Sequence, residues 1–474
     1  MRENPFREDR EEIEELVRQY ENMKAGRGHS FLEEDAFERI IDFYDDHEQI
    51  PKAIEAAETG ILQFPFSASL LIKKADLLIV TKKYREAVNL LDAASLLDSG
   101  DINLYILKTD AFMAMERHEE AAALLLEALD LFEGEERIEL LFELADVYDD
   151  YEEFDKLFEC LKLILEEDPN SEEALYKICF WTDFTGRNEE SIKLHNKIIE
   201  EFPYNELAWF NLGAAFQGLK LYEKAIDAYQ YAIAIDEKFD YAYRNIGDAY
   251  IRLRKYKEAI EMLEKVVELA RPEDVIFEAI GFCYERLHNF AQARIHYRKA
   301  VHLSPDDSKL YFKIACTYME ELQWERAAKQ LETALRLHRN VPDYNLAMGE
   351  CKMELGEVKD AIQYFSLVVS ARPRSASGWE LLVKCLFRAG YLDEAEEQVN
   401  AAITATGGKP VFEFLKVGVL LALGKTKEAL LCLEAAMDKT PKMLKKLVEL
   451  NPTVLQHQQV VDVVARFRKG NRFH

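Results

Sequence analysis

One small residue returns at a fixed interval along most of this chain. Ala53, Ala87 and Ala121 are followed, after a two-residue insertion, by Leu157, Ser191, Ala225, Ala259, Ala293, Ala327, Ala361, Ala395 and Ala429, every other step being 34 residues. A second marker falls twelve residues later, at Pro65, Pro169, Pro203, Pro305, Pro373 and Pro441, with Pro272 displaced by one. Self-similarity at this period means that one supersecondary unit is stacked on copies of itself, since no single copy can bury both of its faces. The unit is helical. With 49% hydrophobic and 11% aromatic residues the chain has the material of a packed core, and 19 Gly and 12 Pro in 474 residues are too few for the turns of an all-β fold.

The clearest unit runs Trp209-Phe-Asn-Leu212-Gly213-Ala-Ala-Phe216, followed by Ala225, Tyr229 and Ala232. Tyr243, Ile246, Gly247, Tyr250 repeat it, then Phe277, Ile280, Gly281, Tyr284, then Tyr311, Ile314, Ala315, Tyr318. Large residues at i, i+3 and i+7 make one helical stripe, and the small residue at i+4 lets a second helix approach. The repeat alanine is the matching gap on that second helix, and the proline ends it.

Position by position, this pattern resembles the tetratricopeptide repeat (TPR). The resemblance implies an all-α, right-handed α-α superhelical solenoid of about twelve 34-residue helix-turn-helix repeats, similar to long bacterial all-TPR proteins without an appended catalytic domain. Repeats start near 34, 68, 102, 138, 172, 206, 240, 274, 308, 342, 376 and 410, so that 34–443 is the array. Residues 1–33 form an acidic capping helix (Ile13, Leu16, Tyr20 and Met23 on one face, stopped by Gly26 and Gly28) and a linker. Residues 444–474 form capping helices (Leu444, Leu447, Leu450; then Leu455, Val460, Val461, Val464, Phe467) and a basic tail that frays. Lys108, Lys352 and Lys416 fall where apolar residues belong, which predicts first helices rotated by one residue onto Leu107, Leu346 and Leu415.

Charge divides the array. Residues 1–170 hold 44 acidic and 18 basic side chains and so carry −26 of the net −28. That imbalance argues against nucleic acid as a ligand. No apolar run suits a signal peptide or a membrane span, so the expected place is the cytoplasm. Seven Cys occur singly, without a Cys-x-x-Cys pair, which predicts reduced thiols serving as small hydrophobes and no zinc site. No P-loop, Gly-x-Gly-x-x-Gly turn, His-Glu-x-x-His helix or Gly-x-Ser-x-Gly elbow is present, and Gly407-Gly408-Lys409 falls at an inter-repeat turn. The chain is therefore expected to bind without catalysing, and with no cofactor or metal. His195 reads as a partly buried spacer.

The family resemblance places ligand contacts at repeat positions 2, 5, 9, 12 and 13 of the concave groove. Position 9 is Asp42, Asp76, Asp110 and Asp146 in the first four repeats, and Asp35 and Glu38 add to the first. Such a row would attract a Lys/Arg-rich segment. The alternative is a solvated face whose position 9 bonds the next repeat; calcium is disfavoured because one carboxylate per repeat cannot converge on an ion. From the fifth repeat the same positions turn aromatic, with Tyr176, Phe180, Phe184, Phe210, Tyr241, Phe282 and Phe312 interleaved with Arg244, Arg252, Lys309 and Lys313. This reads as a peptide-docking strip, against the alternative that some rings fill inter-repeat core. Arg244, Lys309 and Lys313 fit the carboxylate clamp of chaperone-binding TPRs loosely, with Asp248 and Ala279 in place of its asparagines. The leading reading is a scaffold or assembly factor that takes a partner peptide or helix in the groove. A regulatory sensor that changes superhelix shape around a small peptide or metabolite, and an accessory subunit of an enzyme complex, are the rival readings.

Overall fold

The 34-residue unit closes as a helix, a tight turn and a second helix. The computed structural model describes residues 5–27 and 31–470, and among these there are 27 α-helices, two 3-10 turns and no strand. The helices from Glu34–Asp46 to Thr426–Lys439 form twelve consecutive pairs, and within each of the chain's two units successive helices pack on one another, as Ala68–Val80 does on Tyr84–Ser95 and Ser308–Glu320 on Trp324–Leu337. The chain is an all-α repeat solenoid. It divides into two units, Met1–Asn245 and Ile246–His474. The two-residue insertion is absorbed in the fourth pair, whose first helix, Gly134–Asp150, has 17 residues. Before six of the seven repeat prolines the second helix stops two residues ahead, as at Gln63 before Pro65, Glu167 before Pro169, Glu201 before Pro203 and Leu303 before Pro305; before the displaced Pro272 it stops three ahead, at Leu269. Proline removes a donor and pushes the residue ahead of it out of helical geometry.

The turn inside each pair has one recurring conformation. At repeat position 15 the backbone is left-handed in all twelve pairs, on Glu48, Lys82, Glu116, Glu152, Lys220, Arg254, His288 and Leu322, and on Gly186, Gly356, Gly390 and Gly424. The next amide then donates back to the carbonyl of position 11, as from Lys83 to Leu78 (2.8 Å), Leu221 to Phe216 (2.9 Å) and Gln323 to Tyr318 (2.8 Å). These bonds satisfy carbonyls that the helix end would leave open. Eight of the twelve turns place a non-glycine residue in a conformation that costs it roughly 1 kcal/mol.

Two positions set how closely the helices of a pair approach. Position 8 of the first helix faces position 24 of the second. A Cβ built on Gly213 would lie 2.6 Å from the Tyr229 ring, one on Gly281 2.6 Å from Tyr297, and one on Gly349 2.5 Å from Phe365. The same positions hold Ala75 and Leu91, Ala145 and Leu161, and Ala315 and Leu331, and in the first repeat the order inverts to Ile41 and Ala57, all buried. A bulky partner is thus matched by a missing side chain, which keeps packing close to crystal density. The repeat alanines at position 20, from Ala53 to Ala429, are fully buried.

In the fifth repeat position 24 is His195, wholly buried rather than a partly buried spacer. Its Nδ1–H donates to the Ser191 carbonyl oxygen (2.8 Å) and its Nε2 accepts from the Asn211 amide (3.2 Å), which in turn donates to the Leu175 carbonyl oxygen (2.7 Å). Both ring nitrogens are satisfied only in the neutral form. Burial lowers its pKa to about 4, against the opposing hydrogen bond to Ser191.

Both array ends are covered. The helix Pro5–Lys24 buries Val17 and Tyr20 on the first repeat, with Tyr20 edge-on to Phe37 (centroids 6.1 Å) and the Tyr44 hydroxyl donating to Glu21 (3.2 Å). Gly26 turns left-handed after it, while Gly28 lies outside the described residues. At the other end Leu447 and Leu450 of the helix Leu444–Leu450 pack on Gly418. Lys446 reaches back 66 residues to Glu380 (2.7 Å), which also accepts from Lys384 (2.7 Å). The final helix, Gln458–Gly470, buries Val460, Val463 and Val464, whereas Leu455 and Val461 are exposed; residues 471–474 of the tail lie outside the described residues.

The expected one-residue rotation does not occur in repeats three and ten. Tyr105, Thr109 and Phe112 keep the buried stripe while Leu107 is half-buried, and Lys108 brings its ammonium over the Phe112 ring (5.9 Å) and pairs with Asp92. Met348 and Gly349 likewise hold the register, Leu346 is half-buried, and Lys352 pairs with Glu357 (2.6 Å). A lysine stem covers apolar surface while its ammonium reaches a carboxylate, so the helix need not turn. Leu415 is fully buried, but so are Phe412, Val417 and Leu420, because the cap covers the opposite side of that helix.

Two outcomes follow from this packing. Gly281→Ala should destabilise the chain by about 1–3 kcal/mol, and combining it with Tyr297→Leu, the pairing used in the ninth repeat, should cost less than the two single changes summed; denaturant midpoints of the four proteins measure this. For His195 the unfolded state binds the proton more tightly than the folded state. Its stabilising contribution is therefore complete above pH ~6.5 and is lost as pH falls toward about 4. The fall in melting temperature over that window should be shallower in His195→Leu, measured by circular dichroism.

Candidate partner-binding faces

The helix Glu172–Thr185 starts at Ser171, whose hydroxyl accepts from the Ala174 amide, and ends at left-handed Gly186. It buries Ala174, Leu175, Ile178 and Thr182. Four-residue spacing puts Tyr176, Phe180 and Phe184 in line on its other face, 61%, 61% and 58% exposed. The rings hold one another. Phe180 stacks on Phe184 (6.1 Å, 23°), and both meet Trp181 edge-on at 4.9 and 5.5 Å. Phe154, from the preceding second helix, stacks on Trp181 (5.0 Å, 18°) and meets Phe184 edge-on (4.8 Å). Trp181 and Phe154 were not read as site residues, because neither stands at a groove position of its repeat. Together they hold Phe180 and Phe184 in a shaped apolar surface, with Tyr176 one turn further along the helix.

On its N-terminal side this helix meets the acidic wall directly. Lys177, next to Tyr176, pairs with Asp146 (3.4 Å) and Glu173 (2.9 Å) and lies over the Phe142 ring (5.2 Å). Asp42 at the far end pairs with Lys73 of the second repeat. At these two ends position 9 bonds the neighbouring repeat. Between them the row is different: among the described residues neither Asp76 nor Asp110 has a cation within ion-pairing distance. Partial burial, then Asp45 and Asp42, push the Asp76 pKa up against the pull of Lys73. Partial burial and then Asp76 push Asp110 up. Glu143 is raised by burial and by Asp110, Asp146 and Glu139, against Lys177. The structure thus brings Asp42, Asp76, Asp110 and Asp146 into one electrostatically connected row. Asp35 is exposed and Glu38 half-buried on the first helix of that row.

The remaining candidates differ in accessibility. Phe210 is half-buried between Tyr229 (5.4 Å) and Phe239 (5.0 Å), filling space between repeats, while Tyr241 is 56% exposed and Arg244 half-buried. In the second unit Phe282 and Phe312 are half-buried against Tyr256 (6.2 Å) and Tyr344 (4.9 Å). Lys313 is committed to Glu278 and sits near the Tyr297 ring (5.8 Å). Arg252 pairs with Asp248 of its own helix (3.5 Å), and Lys309 is exposed.

Among the described residues no three His, Cys, Asp or Glu side chains come together as a metal set, and no helix is long and apolar enough to cross a membrane. Burial pushes the thiols of Cys160, Cys179, Cys283, Cys316 and Cys351 up to about 12, which leaves them protonated and poorly nucleophilic at neutral pH. Gly407 and Gly408 are both left-handed, in the turn before Pro410–Ala422.

Known families and solved structures show similarity to this chain. A family model described as the tetratricopeptide repeat protein 21 C-terminal ARM domain matches residues 217–351, and one described as tetratricopeptide repeat matches 352–410. No curated protein matches the chain. Similar solved structures include YrrB, a TPR protein with an unusual peptide-binding site, at 20% identity over 39% of this chain and 95% of that one, TM-score 0.35. The Cut9–Hcn1 hetero-tetramer of the APC/C is similar at 12% identity over 85% and 98%, TM-score 0.36. The C-terminal part of a TPR repeat-containing protein from Cytophaga hutchinsonii is similar at 16% over 54% and 99%, TM-score 0.42. Tetratricopeptide-type family models thus match residues 217–410, and the repeats before and after them are built as helix pairs of the same period.

Proposed function

We propose that the chain is a protein-interaction scaffold that holds an extended or helical partner segment against its first helices, without turnover. The observation that carries this reading is the line of three exposed rings on Glu172–Thr185, two of which, Phe180 and Phe184, are braced by Trp181 and Phe154. Soluble surfaces rarely leave contiguous aromatic area in water unless something covers it. Rings held in place by other rings lose little side-chain freedom on binding, which favours them as anchors. The half-buried Phe210, Phe282 and Phe312 give a partner less area and support the repeats themselves. Tyr241 remains as a peripheral contact in the first unit, and Arg252 and Lys309 as separate candidates in the second. A carboxylate-clamp ligand has less support, because Lys313 is already paired with Glu278. The same reading places the chain in the cytoplasm, supported by seven free cysteines.

Replacing Phe180 and Phe184 together by Ala should weaken partner capture by about 30-fold or more, the loss of roughly 2 kcal/mol or more from anchor residues. The thermal transition should be retained, since both rings are exposed. Quantitative mass spectrometry of proteins retained by wild type, the double variant and Phe66→Ala measures this; Phe66 is 81% exposed in an inter-repeat turn and serves as the off-site control. Partners retained equally by all three proteins would contradict the reading.

A further inference from the structure

The aromatic face is asymmetric in its surroundings, and that asymmetry specifies what can lie on it. Its helix touches the acidic row through Lys177 and Asp146. From there Glu143, Asp110 and Asp76 continue away from the rings, one repeat after another. Successive first helices of repeats one to four are in contact with one another, so each step is about 8–10 Å. From the ring-bearing helix of repeat five to Asp76 of repeat two is three steps, or roughly 25–30 Å. An extended chain covers that in about eight residues at ~3.3 Å each.

Resting on the reading that the rings dock a partner, we infer that the partner segment is bipartite: a bulky apolar or aromatic side chain seated on Phe180, Phe184, Trp181 and Phe154, joined to a Lys/Arg-rich stretch of about eight residues running over Glu143, Asp110 and Asp76. Charge complementarity sets this chemistry. Asp76 and Asp110 have no cation within ion-pairing distance among the described residues, and each is opposed by a neighbouring carboxylate. An approaching ammonium or guanidinium would relieve that repulsion, whereas an acidic or phosphorylated segment would add to it. Neither half suffices alone. The rings lack a feature that fixes direction, and carboxylates spread over several repeats attract cations only diffusely. Linking the two makes the second contact intramolecular, so that affinity and polarity arise together.

Synthetic peptides of about ten residues binding the full chain, read by fluorescence anisotropy, test this. The probes are a peptide with eight Lys/Arg followed by Trp-Phe, the reversed order, a version with Ser for every basic residue, and one with Ala for Trp-Phe. One of the two bipartite orders should bind at least about tenfold tighter than either half-peptide. Its affinity should fall in Phe180→Ala/Phe184→Ala and also in Asp76→Asn/Asp110→Asn, with a weaker salt dependence only in the latter. Melting curves check that both variants fold; removing like-charge repulsion predicts that the Asn pair is at least as stable as wild type. Loss in the aromatic variant with no change in the Asn variant would overturn the bipartite inference and leave the docking reading standing. Binding unaffected by either variant would overturn both. Equal binding by the all-basic peptide without Trp-Phe, or no binding by either order, would also overturn the inference.

Discussion

Everything in this solenoid depends on how near the two helices of a repeat can come. That distance is set where position 8 meets position 24. Gly213 against Tyr229 and Gly281 against Tyr297 leave no room for a single added carbon. Ala315 with Leu331, and Ile41 with Ala57, divide the same space differently. Because more than one pairing of side chains fills that space, the repeats can differ in sequence and still stack with one period. Core burial is thereby settled by the inner stripes of the helices. The remaining face of each first helix is released from packing and can vary freely, as the change from carboxylates in repeats two to four to aromatic rings in repeat five shows.

The turn and the caps complete the same logic. A left-handed residue at position 15 in every pair keeps the turn short, and the helix-closing hydrogen bonds satisfy the carbonyls there. Proline ends the second helix. The terminal repeats would otherwise show apolar faces, and Tyr20 at one end and Leu447 and Leu450 at the other cover them. Glu380 shows how the second cap is held. Burial would raise its pKa, yet hydrogen bonds from Lys384 and Lys446 outweigh that and lower it.

Most of this was legible in the sequence because it is written in spacing. The 34-residue alanine column and its prolines identify the helix pairs and their ends without coordinates. Lysines at apolar positions were misread: Lys108 and Lys352 keep their register by lying along the surface with the ammonium paired, an option that a hydrophobicity pattern cannot express. His195 looked like a spacer because Asn211, the partner of its second ring nitrogen, comes from another helix and is itself held by the Leu175 carbonyl. For the candidate site, Tyr176, Phe180 and Phe184 follow from four-residue spacing, but Trp181 and Phe154 could be found only through ring contacts between helices. Nor could spacing separate the paired Asp42 and Asp146 from Asp76 and Asp110, since that depends on where Lys73 and Lys177 reach.

The account's central claim is that the face released from packing on the first helices of repeats two to five is where a partner lies. Hydrogen–deuterium exchange on the full chain, with and without the bipartite Lys/Arg–Trp-Phe peptide, tests it most directly. Added protection should concentrate in Ala68–Val80, Ile102–Ala114, Gly134–Asp150 and Glu172–Thr185. Protection confined to the second helices of those repeats, such as Tyr84–Ser95 and Phe154–Glu167, would contradict it.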